Sequence, residues 1–165
     1  MTGKVLVAGI GNIFFGDDGF GVEVAGRLAT RPRSEAVRVA DFGIRSVHLA
    51  YELLDGYDTL VLIDAVPMGE APGTVAVLEP EIDVVVAGSE PSVDAHSMDP
   101  VTVLTTLAGL GGSVDRVLVV GCQPGVMDEG IGLSQPVAEA VDRAVDAIED
   151  LLIEIRPTAG KERGS

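Results

Sequence analysis

Three short runs constrain this chain more than anything else in it. Lys4–Ile10 (KVLVAGI), Thr59–Ala65 (TLVLIDA) and Arg116–Gly121 (RVLVVG) are apolar at almost every position. A strand with one wet face alternates apolar and polar residues; a strand without alternation is covered on both sides. Two further segments read as strands. Ala36–Asp41 (AVRVAD) alternates and suits an edge or half-covered position, and Thr74–Leu78 (TVAVL) is β-branched and bounded by turn residues. Between these runs lie helical patterns. Gly19–Ala29 repeats Phe20, Val24 and Leu28 at four-residue spacing, and Val47–Leu54 follows Ser46 as a cap. Pro100–Leu110 follows Asp99, with proline at the first helical position. Ser134–Ile155 carries the stripe Val137, Val141, Val145, Ile148 and Leu152, with acids on its outer face. Strands alternating with helices predict an α/β domain around a mostly parallel sheet. The link Val66–Gly73 is too short for a crossover helix, so the fourth strand is expected to run antiparallel.

At 165 residues the chain is expected to form one domain, residues 1–156, followed by a flexible polar tail, 157–165. Aromatic residues make up 4% of it, so the core is built from Val, Leu, Ile and Ala. The net charge of −15, from 26 acids against 11 bases, argues against nucleic acid and against an anionic membrane surface. One cysteine, Cys122, excludes an internal disulfide and a cysteine-based zinc cluster, and its place at the end of a buried strand reads as an inert core thiol. No apolar stretch approaches the roughly 18 residues of a membrane helix, and no signal peptide is visible, which predicts a cytoplasmic protein.

The first strand runs into GIGNIFFGDDGFG, Gly9–Gly21. A strand, a glycine loop and a helix start suggest dinucleotide binding, but the third glycine of that fingerprint falls on Phe14. Asp17 and Asp18 also stand where a pyrophosphate would approach the helix, and two carboxylates repel phosphate. One acid at a helix start is explained by the helix dipole. The second requires another reason, as a ligand or as a charge paired elsewhere.

In doubly wound sheets, ligands bind beyond the carboxyl ends of the strands at the switch point. Asp18 follows the first strand, Asp41 ends the second and Asp64 ends the third inside an apolar run. With a strand order beginning 2-1-3, Asp18 and Asp64 face one crevice. A carboxylate inside an apolar strand is costly unless it is paired, hydrogen-bonded to loop amides or bound to metal. His96 lies in a polar loop (SVDAHSMDP) able to swing over the strand ends, whereas His48 reads as half of a surface pair with Glu52. Two carboxylates and an imidazole suit Zn, Ni, Co or Mn and leave coordination positions open. There is no GxSxG, no HExxH and no convincing Ser/His/Asp set.

The ordered blocks GIGNIFFGDDGFGVEVAGRL, DFGIRS, LLDGYDTLVLIDAVPMGEAPGTV, DAHSMDP and VLVVGCQP, with the closing helix that begins LS, resemble the nickel-iron hydrogenase maturation endopeptidases over about residues 4–152. The resemblance implies a three-layer α/β/α sandwich around a mixed five-stranded sheet. It implies an enzyme that removes a short C-terminal extension from the hydrogenase large-subunit precursor after nickel insertion. The family's metal-contacting positions fall on Asp18, Asp64 and His96, which would read the nickel carried by the precursor. Some members have Glu where this chain has Asp18. The resemblance also gives Asp41 a part in catalysis or substrate recognition. The alternatives are a metal-dependent hydrolase with a resident ion and a nickel-site chaperone that does not cut.

Overall fold

The computed structural model describes residues 3–80 and 100–155. In chain order it contains β1 (Val5–Ile10), a 3-10 turn (Gly16–Gly19), α1 (Phe20–Ala29), β2 (Val37–Gly43), α2 (Ser46–Leu53) and β3 (Thr59–Ala65). β4 (Val75–Leu78), α3 (Pro100–Gly109), β5 (Arg116–Cys122) and α4 (Gln135–Ile155) follow. The strands form one sheet in the order β2-β1-β3-β5-β4. β1 pairs parallel with β2 and β3, β3 pairs parallel with β5, and β4 runs antiparallel to β5. The antiparallel β4 follows from its short, nine-residue approach, and the three fully apolar runs occupy the three inner strands, as their patterning predicts.

Each face of the sheet has its own core. On one side Val5, Val7, Val61, Ile63, Leu118 and Val120 meet α1 and α4 through Phe20, Val24, Leu28, Val141, Val145 and Ile148. On the other, Leu6, Leu60, Leu62, Val117 and Val119 meet α2 and α3 through Leu49, Leu53, Val103 and Leu107. These are the two outer layers of an α/β/α sandwich. Truncating one of these buried leucines to alanine typically costs about 2–5 kcal/mol.

Two glycines bring α1 onto the carboxyl half of the sheet. A Cβ at Gly21 would lie 2.1 Å from the Ile63 carbonyl oxygen, and one at Gly9 would lie 2.2 Å from that of Gly21. Helix and strands therefore touch backbone to backbone, and the 3-10 turn at the head of α1 is held against the strand ends.

Three local expectations change. Ser46 lies inside α2, whose N-cap is Arg45 and has no side-chain cap bond. β2 continues past Asp41 to Gly43, with a register shift against β1 between Gly9 and Ile10. The His48–Glu52 pair is replaced: Glu52 accepts from the Tyr57 hydroxyl at 2.6 Å and meets Arg38 Nε at 3.1 Å. Two partners from elsewhere in the fold outcompete the neighbour one helical turn away. Tyr57 is correspondingly hard to ionise, because of its burial first and its bond to Glu52 second. The acids of α4 are mostly solvated, but Asp142 pairs with Arg27, and Glu149 pairs with Arg31 and Arg33. The predicted cap at Asp99 and the tail 157–165 lie outside the described residues.

Candidate functional site

Three acids stand at the carboxyl ends of three neighbouring strands. Asp41 lies opposite Gly9 in the β1–β2 ladder, and Gly9 lies opposite Ile63 in the β1–β3 ladder, so Asp64 is one residue beyond that level. Two strand spacings, about 10 Å, separate the β2 and β3 backbones. The pleat alternates along each strand. Leu62 belongs to the core under α2 and α3 while Ile63 belongs to the core under α1 and α4, which places Asp64 on the α2/α3 side at the strand end. Asp64 is half-buried there and lines a cleft of about 420 Å³ with Ile10, Leu62, Val66 and Val119. Asp41 is exposed, and its carboxylate meets Arg45 Nη2 at 3.9 Å.

Asp18 comes from the turn above β1. It is half-buried, and its Oδ2 accepts the Asn12 amide at 2.8 Å. That bond folds the loop after β1 back over its own end and points the carboxylate toward the strand ends. The Asn12 side chain in turn accepts the Phe14 amide at 2.9 Å, which stiffens the loop.

The neighbouring Asp17 behaves differently. It is fully buried, and its two oxygens accept from Gly125 N (2.8 Å), Val126 N (2.7 Å), Ser134 N (2.6 Å) and Ser134 Oγ (2.7 Å). Burial opposes its charge, but these four donors outweigh burial and hold its pKa below the ordinary aspartate value. The turn is also stitched through its backbone: Asp17 N donates to Val126 O, Gly16 N to Gly130 O, and Gly130 N to Phe14 O. Ser134 therefore spends its hydroxyl on Asp17. Ser134 stands at the N-cap position of the last helix, its carbonyl accepting the Ala138 amide at 2.8 Å, and its side chain is also part of a cross-link that fixes the loop 123–134 against the turn carrying Asp18.

Cys122 ends β5 and is fully buried. Burial first, and the charge of Asp17 second, push its thiol up to about 11, so it remains protonated at neutral pH and is unsuited to act as a nucleophile.

The fold thus brings Asp18, Asp41 and Asp64 to one edge of the sheet. His96 lies outside the described residues, and among the described residues no three His, Cys, Asp or Glu side chains are grouped closely enough to hold a metal. Sequence reasoning passed over the apolar rim of this edge. Phe14, Phe15, Val126, Met127 and Ile131 are all exposed, and Phe15 bridges to Gly130. The signal was present as two adjacent phenylalanines inside a glycine-rich turn, where no core is available to take both.

Comparisons with known proteins agree on one group. A family model described as hydrogenase maturation protease matches residues 22–151. A Methanocaldococcus jannaschii protein named as a hydrogenase maturation protease is 33% identical over 148 residues, covering 87% of this chain and 93% of its own. The hydrogenase expression/formation protein HupD of Rhodobacter capsulatus is 32% identical, over 90% of this chain and 71% of its own. Among solved structures, the hydrogenase-maturating endopeptidase HybD of Escherichia coli superposes with a TM-score of 0.75 at 26% identity, covering 92% of this chain and 93% of that one.

Proposed function

The chain belongs to the hydrogenase maturation protease family, and from that premise we propose that it cuts the C-terminal extension from the large-subunit precursor of a nickel-iron hydrogenase once nickel is in place. The observation that carries this reading is the arrival of Asp18 and Asp64, half-buried, at the carboxyl ends of the adjacent strands β1 and β3. A pair of partly desolvated carboxylates with an imidazole from His96 is a hard-to-borderline donor set, suited to a divalent ion such as nickel.

In this reading the nickel is part of the substrate. Asp18, Asp64 and His96 complete the coordination of an ion that the precursor already holds, so an empty precursor offers them nothing to grip and is left uncut. The scissile carbonyl then lies over the strand ends. Exposed Asp41 takes a proton from the attacking water and passes it to the peptide nitrogen as the C–N bond breaks, so that the amine leaves with the extension and Asp41 is again a carboxylate. The Asp17 cross-link keeps the turn bearing Asp18 from shifting, so little ordering remains for the moment of binding. The surplus of acid elsewhere serves solubility. No helix among the described residues is long and apolar enough to cross a membrane, and we place the reaction in the cytoplasm, where the precursor is assembled.

The deciding experiment is a mass measurement of the nickel-loaded precursor before and after incubation with the purified protein. Loss of a C-terminal fragment is expected with the wild type, and none with Asp64→Ala or His96→Ala, both retaining the wild-type melting temperature. Normal cleavage by either variant would sink the site assignment. An unchanged precursor mass with tight binding would favour a chaperone, and a stoichiometric ion in the isolated protein would favour a hydrolase with its own metal.

A further inference from the structure

Beside Asp41 the loop after β1 and the turn after β2 enclose a pocket of about 300 Å³, lined by Gly11, Asn12, Ile13, Phe14, Val22, Asp41, Gly43, Ile44 and Arg45. That volume is at the small end of the roughly 300–1,000 Å³ usual for binding sites. Its walls are tied together at the base, where Gly11 N donates to Gly43 O at 2.9 Å. Gly43, at a φ of 57°, makes the turn that lifts Ile44 away from the sheet. Three large apolar side chains stand around this one concavity although solvent reaches them: Ile13 is 44% exposed, Phe14 57% and Ile44 55%. Apolar side chains gathered about a hollow are unfavourable in water and mark a surface meant to be covered.

Its polar groups are already engaged. Arg45 donates through Nε to Phe42 O at 3.1 Å and through Nη2 to Asp41 O at 3.1 Å, and it faces the Asp41 carboxylate. The rim thus brings a neutral pair and no net charge. A basic occupant would find Asp41 shared with Arg45, and an acidic one would find Arg45 engaged. The pocket is also continuous with the carboxylate edge. Asp41 belongs to both, and Asn12, a wall residue, is the one whose amide holds Asp18.

We infer that this pocket is a specificity subsite that receives an uncharged apolar side chain of the precursor, from a residue close to the bond being cut. The inference rests on the proposed protease function. Asp64 stands on the α2/α3 side of the sheet and Asp41, like Val37 and Val39, on the α1/α4 side, so a precursor strand that runs over the strand ends from one acid to the other passes the pocket mouth. An aliphatic or aromatic side chain leaving that strand covers Ile13, Phe14 and Ile44 together. The pocket then does what the nickel contact cannot: it fixes the position of the chain along its own length, and with it which peptide bond lies over the carboxylates.

Steady-state cleavage of nickel-loaded precursor tests this with uncharged variants, which leave the charge around Asp41 unchanged. Ile44→Asn and Phe14→Asn are expected to raise KM roughly tenfold or more, with kcat and melting temperature near wild type, and Ile44→Leu to restore KM. Asn placed at the positions flanking the cleaved bond of the precursor should reproduce the loss at one position only. At that position the loss should not add to that of Ile44→Asn. Ile153→Asn is the control: it changes an apolar side chain of similar exposure (71%) on α4, about 27 Å along the helix from its first residue, and should leave KM unchanged. An unchanged KM in both pocket variants, or losses that add at every precursor position, overturns the subsite while leaving the protease reading intact. No cleavage by the wild type overturns the protease reading, and the subsite with it.

Discussion

Asp17 and Asp18 share one turn, one side-chain type and one place at the head of α1, yet their surroundings are opposite. Asp17 is fully buried and saturated with four donors drawn from residues 125–134. Asp18 is half-buried and holds one amide from its own loop while facing the strand ends. In a 3-10 turn successive side chains are about 120° apart around the axis, so adjacent acids cannot share a direction. One was bound to point into the molecule and the other out of it. The buried acid is an anchor and the half-buried one is available to a ligand. The pair shows how a protein can hold a partly exposed carboxylate still by giving its neighbour the structural work.

The widest separation between the two is expected from alanine. Asp18→Ala should abolish precursor processing with a melting temperature unchanged from wild type. Asp17→Ala should lose about 3 kcal/mol or more of unfolding free energy in a denaturant titration, because three buried backbone amides and a hydroxyl lose their acceptor. If the two variants exchanged these phenotypes, the division of labour would be wrong.

A smaller effect should appear with acid. Asp17 has its pKa held below the ordinary value of 3.8 in the folded state. A lowered folded pKa contributes stability that is fully present above the unfolded value and is lost as pH falls through the folded one. The wild type should therefore lose melting temperature as pH drops below about 4, and Asp17→Asn, already weaker at neutral pH, should lose less over the same range. Glu149 is shifted in the same direction despite its partial burial, by Arg33 and Arg31, so some acid sensitivity should persist in the variant. Parallel melting curves for the two proteins would show that Asp17 is not the group responsible. The smallest effect belongs to the outer face of α4: Asp142→Ala breaks an exposed pair with Arg27 and should cost no more than about 0.5 kcal/mol in the same titration.

Much of this was legible in the residues. The unalternating runs identify β1, β3 and β5 as inner strands, and the short link before Val75 identifies β4 as antiparallel. Asp64 stood out because a carboxylate inside TLVLIDA is costly unless it is paired, hydrogen-bonded or bound to metal. Two side chains took partners that local spacing did not predict. Ser134 has the composition and the position of a helix cap, and His48 with Glu52 has the spacing of a helix pair. The actual partners are distant: Ser134 bonds to Asp17 across 117 residues, and Glu52 takes Arg38 and Tyr57. Local spacing states which bonds are possible. Which is made depends on what packing brings near and how strongly a buried group needs a partner.

The sequence by itself determined the α/β class, the inner strands, the sense of β4 and the edge where the acids of the candidate site collect, because periodicity and link length follow from backbone geometry and from burying apolar surface. Only the tertiary structure decided between Asp17 and Asp18, redirected Ser134, and shaped the apolar pocket beside Asp41. A side chain's direction and its neighbours depend on contacts between segments far apart in the chain. Two identical residues side by side carry no trace of which one the fold will bury.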